Sequence, residues 1–323
     1  MELKFIKRIR FSKTATAVFS IMRDEDYFLP FFLAHHRELG VAQFLIYADR
    51  CNETFLSRLM AEPDVAVVTG EARFGDSFEL PGARTPVRLG AFLKIKVPPE
   101  IFPDQWVLTA DADEFLVLPP PLTGIDQLAE RLERRQQFFS FAPMVDFFPA
   151  LLADRNYDPA TAPIRACPFF ERGPYHRIDG PAGRVVVTSF GVRGRMLASL
   201  KQQCPDEIAA IYGARPILPP MNFKYPLIRN GRGILRGGDH VINAGTSRSL
   251  ATALAHFKFY PGLDQKIAAA LSEAQYYNAS AEYRFLKLAI ERFESAALAG
   301  PQTIRFLKPD TLVQAELLQA ADD

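Results

Sequence analysis

The chain has 323 residues, of which 48% are hydrophobic and 23% charged, which argues against a disordered protein and for one α/β unit with a smaller or extended C-terminal part. Lys and Arg number 38 against 37 Asp and Glu, so net charge gives no argument for a nucleic-acid partner. Three scattered cysteines (Cys51, Cys167, Cys204) with no CxxC pair argue against a disulfide framework or zinc knuckle and fit a reducing, cytoplasmic compartment; no apolar run approaches the roughly 18 residues a spanning helix needs.

The basic lead "MELKFIKRIRFSK" followed by "TATAVFSIM" has the outline of a signal peptide. The apolar part is short and "RDED" follows at once, so a first core strand is the better reading. The basic lead then reads as a solvated face, with contact to an anionic membrane surface as the alternative. The order continues with a helix over "DEDYFLPFFLAHHRELG", stopped by Gly40, a strand "VAQFLIYAD", a helix "ETFLSRLMAE" and a strand "DVAVVTG". "RTPVRLGAFLKIKV" reads as helix and "WVLTADADEF" as the next strand. Alternating strands and helices with continuous apolar strands predict a mainly parallel sheet with helices on both faces.

The second half is less regular. "LTGIDQLAERLERRQ" predicts a helix and "FFSFAPMVDFFPA" a strand carrying Asp146 near its end. A Pro-, Gly- and Arg-rich stretch spans about residues 154–184, and strand-like pieces follow at "RVVVTSF" and "HFKFY". A helical tail begins near Leu263 and runs with breaks past Arg292.

Polar residues mark three of the early strand ends: Arg23, Asp24 and Glu25; Asp49; and Asp111, Asp113 and Glu114. Ligands of parallel α/β sheets gather beyond the carboxyl ends of the strands. Adjacent carboxylates repel one another unless they are solvated or share a positive charge. A divalent Mg²⁺ or Mn²⁺ answers that need with one or two carboxylates plus substrate phosphates. The alternative is that these acids cap a helix or face water.

The stretches "MRDEDYFLPFFLAHHRELGVAQFLIYAD", "WVLTADADEFL", "PMVDFFP", "HFKFY" and "YYNASAEYRFL" together resemble a GT-A type glycosyltransferase of the bacterial family 2-like group. "HHRELG" and "DADEFL" are the most specific parts. Asp24 stands where the commoner motif has Asn, and the loop "RCNET" after Asp49 departs from the usual Asp-Gly-Thr ending. The resemblance implies a GT-A, Rossmann-like fold with a less regular acceptor-side part. It places the nucleotide-sugar-binding half in residues 1–120 and the acceptor-side half, with C-terminal helices, in residues 121–323 of the same globular unit. Asp111-Ala112-Asp113 becomes the DxD motif, which holds a metal on the diphosphate of a nucleotide sugar. Asp49 is implied to contact the nucleobase or ribose, against a plain turn role, and Arg23, Asp24 and Glu25 to wrap the nucleoside, against helix-start acids.

In "HFKFY", alternate residues share a strand face, so His256 and Lys258 point one way and the phenylalanines the other. That face can supply an imidazole to the metal and an ammonium to phosphate, unless the segment is a half-exposed edge strand. His240 is a rival third ligand. Asp146, flanked by aromatics, is expected to be desolvated with a raised pKa, which suits a general base on the acceptor hydroxyl; Asp239 is the second base candidate. Glu114 either assists the metal or orients the loop, while His35 and His36 read as packing residues.

The expected activity is metal-dependent transfer of a sugar from a nucleotide-diphospho-sugar, a UDP-sugar first among donors, to a glycan or lipid-linked hydroxyl in surface polysaccharide synthesis. Inversion is implied by the family 2-like group. The rivals are a phosphoryl-transfer enzyme, a nucleotidyltransferase and a non-catalytic glycan-binding relative. The motif follows three strands rather than the first, and no glycine-rich loop follows the first strand, which disfavours the first two.

Overall fold

In a computed structural model the protein is described at residues 2–80, 85–179, 183–188, 191–213, 217, 220–246, 252–274 and 276–321. Arg84 of the third predicted helix and residues 189–190 of "RVVVTSF" lie outside these. The first half alternates as its apolar pattern predicts. Strand β1 (Lys4–Lys7) and β2 (Ala17–Met22) precede helix α1 (Phe28–Glu38). Next come β3 (Gln43–Ala48), α2 (Glu53–Ala61) and β4 (Val65–Thr69). Asn52 caps α2 by accepting from the Phe55 amide at 2.8 Å, which satisfies one of the amides a helix start leaves free. Helix α3 (Leu89–Ile101) then leads to β5 (Trp106–Thr109). It runs past the predicted end at Val97, through Pro98 and Pro99. Its last carbonyls are satisfied by Asn230, whose Nδ2 donates to the Pro98 and Phe102 oxygens at 2.9 and 2.8 Å.

The expected single strand "WVLTADADEF" is two strands. β5 ends at Thr109, the chain turns through residues 110–113, and β6 (Glu114–Val117) starts in a different sheet. After α4 (Ile125–Arg134) come β7 (Ala142–Phe147), α5 (Val192–Gln203), β8 (Phe223–Lys224), β9 (Leu227–Arg229) and β10 (Ala253–Phe257). Helices α6 (Leu263–Glu273) and α7 (Tyr277–Phe293) form the predicted tail.

The larger sheet has the order β1-β4-β3-β2-β5-β9, with β2 to β5 mutually parallel and the two outer strands antiparallel. Its two faces are buried separately, as a two-period pattern requires. Val18, Phe44, Ile46 and Val67 pack with Phe28, Phe32, Phe55 and Leu59 of α1 and α2. Ala17, Phe19, Leu45, Tyr47 and Val68 pack with Leu89, Leu93 and Val97 of α3. The mainly parallel α/β sheet with helices on both faces is therefore as expected. The second sheet, β8-β7-β10-β6, pairs β10 parallel to β7 and antiparallel to β6. The two halves of the chain exchange strands: β9 completes the first sheet and β6 the second.

Candidate functional site

A cleft of about 490 Å³ opens beyond the carboxyl ends of β2, β3 and β5. The turn between the two sheets forms its floor. That turn is fixed locally: the Glu114 amide donates to the Asp111 carbonyl, and the Asp111 amide donates to a Glu114 carboxylate oxygen, both at 3.0 Å. Ala112 is buried beneath it. The Phe257 amide donates to the Asp113 carbonyl at 3.0 Å, tying the turn to the end of β10.

The register of the second sheet brings the chemistry together. On β10, His256 lies opposite Glu114 of β6 on one side and opposite Asp146 of β7 on the other. The opposite face carries Phe257, whose ring sits 5.2 Å from Phe115 and 5.4 Å from Phe147. A slip of one residue would turn His256 into that aromatic layer. Asp146 Oδ1 accepts from His256 Nδ1 at 2.6 Å, and a carboxylate only accepts, so Nδ1 carries the proton. In the neutral ring this leaves the Nε2 lone pair facing Asp113, whose Oδ2 is 3.6 Å away. Ligand atoms of Asp113, Glu114 and His256 all lie within 4.8 Å of one another. Two carboxylates and one imidazole form a donor set that suits Mn²⁺, and the oxygens suit Mg²⁺. An imidazole oriented by a buried carboxylate is the usual support of a metal ligand.

Asp111, expected among the ligands, is not part of this group. Its oxygens accept from Lys94 and Lys224, each at 2.7 Å. Burial alone would raise its pKa, but Lys224 and then Lys94 hold it well below the ordinary carboxylate range. Lys224 also pairs with Glu114 at 2.6 Å and Asp239 at 3.4 Å, and Lys94 pairs with Asp239 at 2.5 Å. Neither lysine carries a signal in the sequence: Lys94 sits with Lys96 in "AFLKIKV" and Lys224 in "NFKYPL", both otherwise mostly apolar. Lys258 donates to Asp113 at 2.6 Å, so His256 and Lys258 do converge on one carboxylate, although the strand ends between them at Phe257.

The expectation of a raised Asp146 pKa is reversed. Burial pushes it up, but Arg193, whose Nε donates to Oδ2 at 2.8 Å, and then His256 overcome this and hold the carboxyl below its usual range. Both oxygens are thereby taken, and Asp146 is not among the residues lining the cleft. Asp239 does line it, and there too burial is outweighed by Lys224 and Lys94, which depress its pKa. Arg193 reaches on to Glu282, its Nη1 donating to Oε1 at 2.6 Å. Arg193 in "GVRGRM" had no local signal, and Glu282 lies in "YYNASAEYRFL", a stretch quoted for the resemblance without a role for the acid.

Arg23, Glu25 and Asp49 line the cleft at the ends of β2 and β3. Arg23 is paired with Glu273, and Glu25 with Lys266. Asp24 does not line it. With φ of 51° it turns toward the next loop and accepts from the Asn52 amide at 2.8 Å. His240 lines the cleft, its Nδ1 donating to the Phe223 carbonyl at 2.6 Å. His35 and His36 are packing residues, as expected: they donate to the Leu116 and Phe32 carbonyls, and burial lowers both pKa values, that of His36 to about 3. Among the described residues no helix is long and apolar enough to cross a membrane.

No protein-family model matches the chain, and no curated protein does. Among solved structures, a UDP-glucose pyrophosphorylase complexed with UDP-glucose aligns at a TM-score of 0.26 and 10% identity, over 58% of this chain and 80% of its own. A protein described as a glucose-1-phosphate thymidylyltransferase from Bacillus anthracis, in complex with sucrose, aligns at 0.26 and 8%, over 62% of this chain and 81% of its own. Similarities of this size carry no argument about function.

Proposed function

We propose that the protein is a metal-dependent glycosyltransferase that takes a nucleotide-diphospho-sugar as donor and a glycan or lipid-linked hydroxyl as acceptor. The observation that carries this reading is the convergence of Asp113, Glu114, His256 and Lys258 at the turn between the two sheets, where Asp113 and Lys258 line a cleft beyond the carboxyl ends of the parallel strands and Glu114 and His256 are buried behind them. Breaking a sugar–phosphate bond develops negative charge on the departing diphosphate. A divalent cation, when bound, supplies positive charge there, and Asp113, Glu114 and His256 would hold it. Lys258 stands beside Asp113 as an ammonium for phosphate oxygens. Arg23 and Asp49, which line the cleft at the ends of β2 and β3, would contact the nucleoside. Asp146 then acts through His256, fixing its tautomer, rather than on the acceptor.

The test is nucleotide release from a panel of UDP-, GDP- and other nucleotide sugars, with Mn²⁺ and with EDTA. Manganese-dependent release from one donor class is expected. Release of pyrophosphate from sugar phosphate and nucleoside triphosphate, without nucleoside diphosphate, would overturn sugar transfer in favour of nucleotidyl transfer.

A further inference from the structure

The proposed reaction needs a group to take the acceptor's proton, and the carboxylates of the cleft are mostly committed. Asp111 and Asp239 are held by Lys94 and Lys224, Asp113 by Lys258, and Glu25 by Lys266. Asp146 is buried between Arg193 and His256. Glu282 differs in exposure. It lines the cleft and its side chain is 48% exposed, against 15% for Asp113 and Asp239 and 18% for Glu25; as in those three one oxygen alone is held, here Oε1 by Arg193, and among the described residues Oε2 has no hydrogen-bond partner.

Local geometry places it deliberately. Asn278, Ala279 and Ser280 all have left-handed backbone, with φ of 50°, 49° and 61°, a conformation that side-chain-bearing residues seldom adopt and that clusters at functional sites. Ser280 is buried and its Oγ donates to the Ala270 carbonyl at 2.7 Å, pinning the segment to α6. The helix resumes after Ser280, so Glu282 stands in its first regular turn, facing the cleft. Partial desolvation within the cleft raises its pKa, but Lys258 and then Arg193 outweigh this and keep the carboxyl below its usual range.

Resting on the sugar-transfer reading, we infer that Glu282 is the catalytic base and that Arg193 and Asp146 form the bracket that couples it to the metal ligand His256. The acceptor oxygen attacks the anomeric carbon, and its proton passes to Glu282 Oε2. The sugar–oxygen bond to the diphosphate breaks with its electron pair leaving on the nucleoside diphosphate. The proton on Glu282 is then lost to water. Arg193 keeps the carboxylate aimed through Oε1 while Oε2 stays open to the acceptor.

The experiment compares the parent with Glu282→Gln and Glu282→Ala. Affinity for UDP with MnCl₂ is read by calorimetry, and turnover of the active donor is read with a mixture of methyl glycosides as acceptors. Azide is then added as an alternative nucleophile that has no proton to lose. The inference expects unchanged UDP affinity, turnover lower by about 100-fold or more in both variants, and azide restoring turnover in Glu282→Ala as glycosyl azide. Parental turnover in both variants overturns it. So does lost turnover that azide does not restore, or that comes with weakened UDP binding, since Glu282 would then only position the donor. A parent that turns over no nucleotide sugar overturns the sugar-transfer reading itself, a result distinct from failure of Glu282 alone.

Discussion

Replacing Asp146 by Asn keeps the shape of a buried side chain and removes its charge. Two donors meet that carboxylate, Arg193 Nε at 2.8 Å and His256 Nδ1 at 2.6 Å. An amide has one oxygen, so its NH₂ must face one of the two. Arginine cannot give up its proton, so the amide nitrogen turns to His256 and forces Nδ1 to accept. The ring proton then moves to Nε2, the atom that faces Asp113. Mn²⁺ affinity should fall about 10- to 100-fold, the usual cost of losing the partner that orients a ligand. Arg193, whose side chain is 5% exposed, keeps Glu282 but loses its buried counterion. Removing one member of a buried pair costs about 3–5 kcal/mol, and the surviving contact argues for about 3. Urea unfolding reads the second effect and calorimetry with MnCl₂ the first. The pH dependence has a fixed sign: the folded pKa of Asp146 is depressed, so its stabilisation is complete above the ordinary carboxylate range near ~4 and is lost as pH falls below it. The variant should lose less stability than the parent on acidification through that range. A stability loss under ~1 kcal/mol together with parental Mn²⁺ affinity would refute the reasoning.

Asp113→Asn should abolish Mn²⁺-dependent binding of UDP while circular dichroism stays parental, because the residue lies in a turn rather than the core. Lys224→Met should destabilise the fold by about 3–5 kcal/mol at pH 7, since Glu114 is left buried without its ammonium. That loss should shrink as pH is lowered, because an unpaired buried carboxyl has a raised folded pKa whose stabilisation is present at low pH and lost as pH rises; urea midpoints at pH 5 and 7 check it. His36, buried and neutral with a pKa of about 3, takes up its proton more readily when unfolded, so the parent should lose up to ~1.4 kcal/mol of stability per pH unit below about 6.5 from this group alone. His36→Leu should flatten that part of the curve, and an unchanged slope would show that the proton uptake lies elsewhere.

The parallel sheet was legible because each strand of the first half is a continuous apolar run, and α1 and α2 are followed closely by Gly40 and Pro63. "WVLTADADEF" misled for the same reason: both of its ends are strand-like, and nothing local says that they join different sheets. The acids of the cleft were legible as types at strand ends. Their partners were not, because Lys94 and Lys224 meet Asp111 across 17 and 113 positions of chain, and Arg193 meets Asp146 across 47 and Glu282 across 89. A charge within a mostly apolar stretch gives no sign of which distant charge it answers. Asp146 shows the consequence: its aromatic flanks suggested desolvation without compensation, whereas the fold supplies two donors.

The row formed by Glu114, His256 and Asp146 runs across three strands, held by the backbone ladder and not by proximity in the chain. Asp146 and His256 are 110 positions apart. Loops between these strands can therefore lengthen, shorten or be exchanged outside the segments that supply Arg193, Lys224 and Asp239, so long as the three strands dock in the same register. A single residue inserted within β6, β7 or β10 has the opposite effect, dismantling the row while leaving the hydrophobic composition intact. The protein is thus tolerant in its loops and brittle over three strands of four, six and five residues, and grafting new loops onto it should begin from that division.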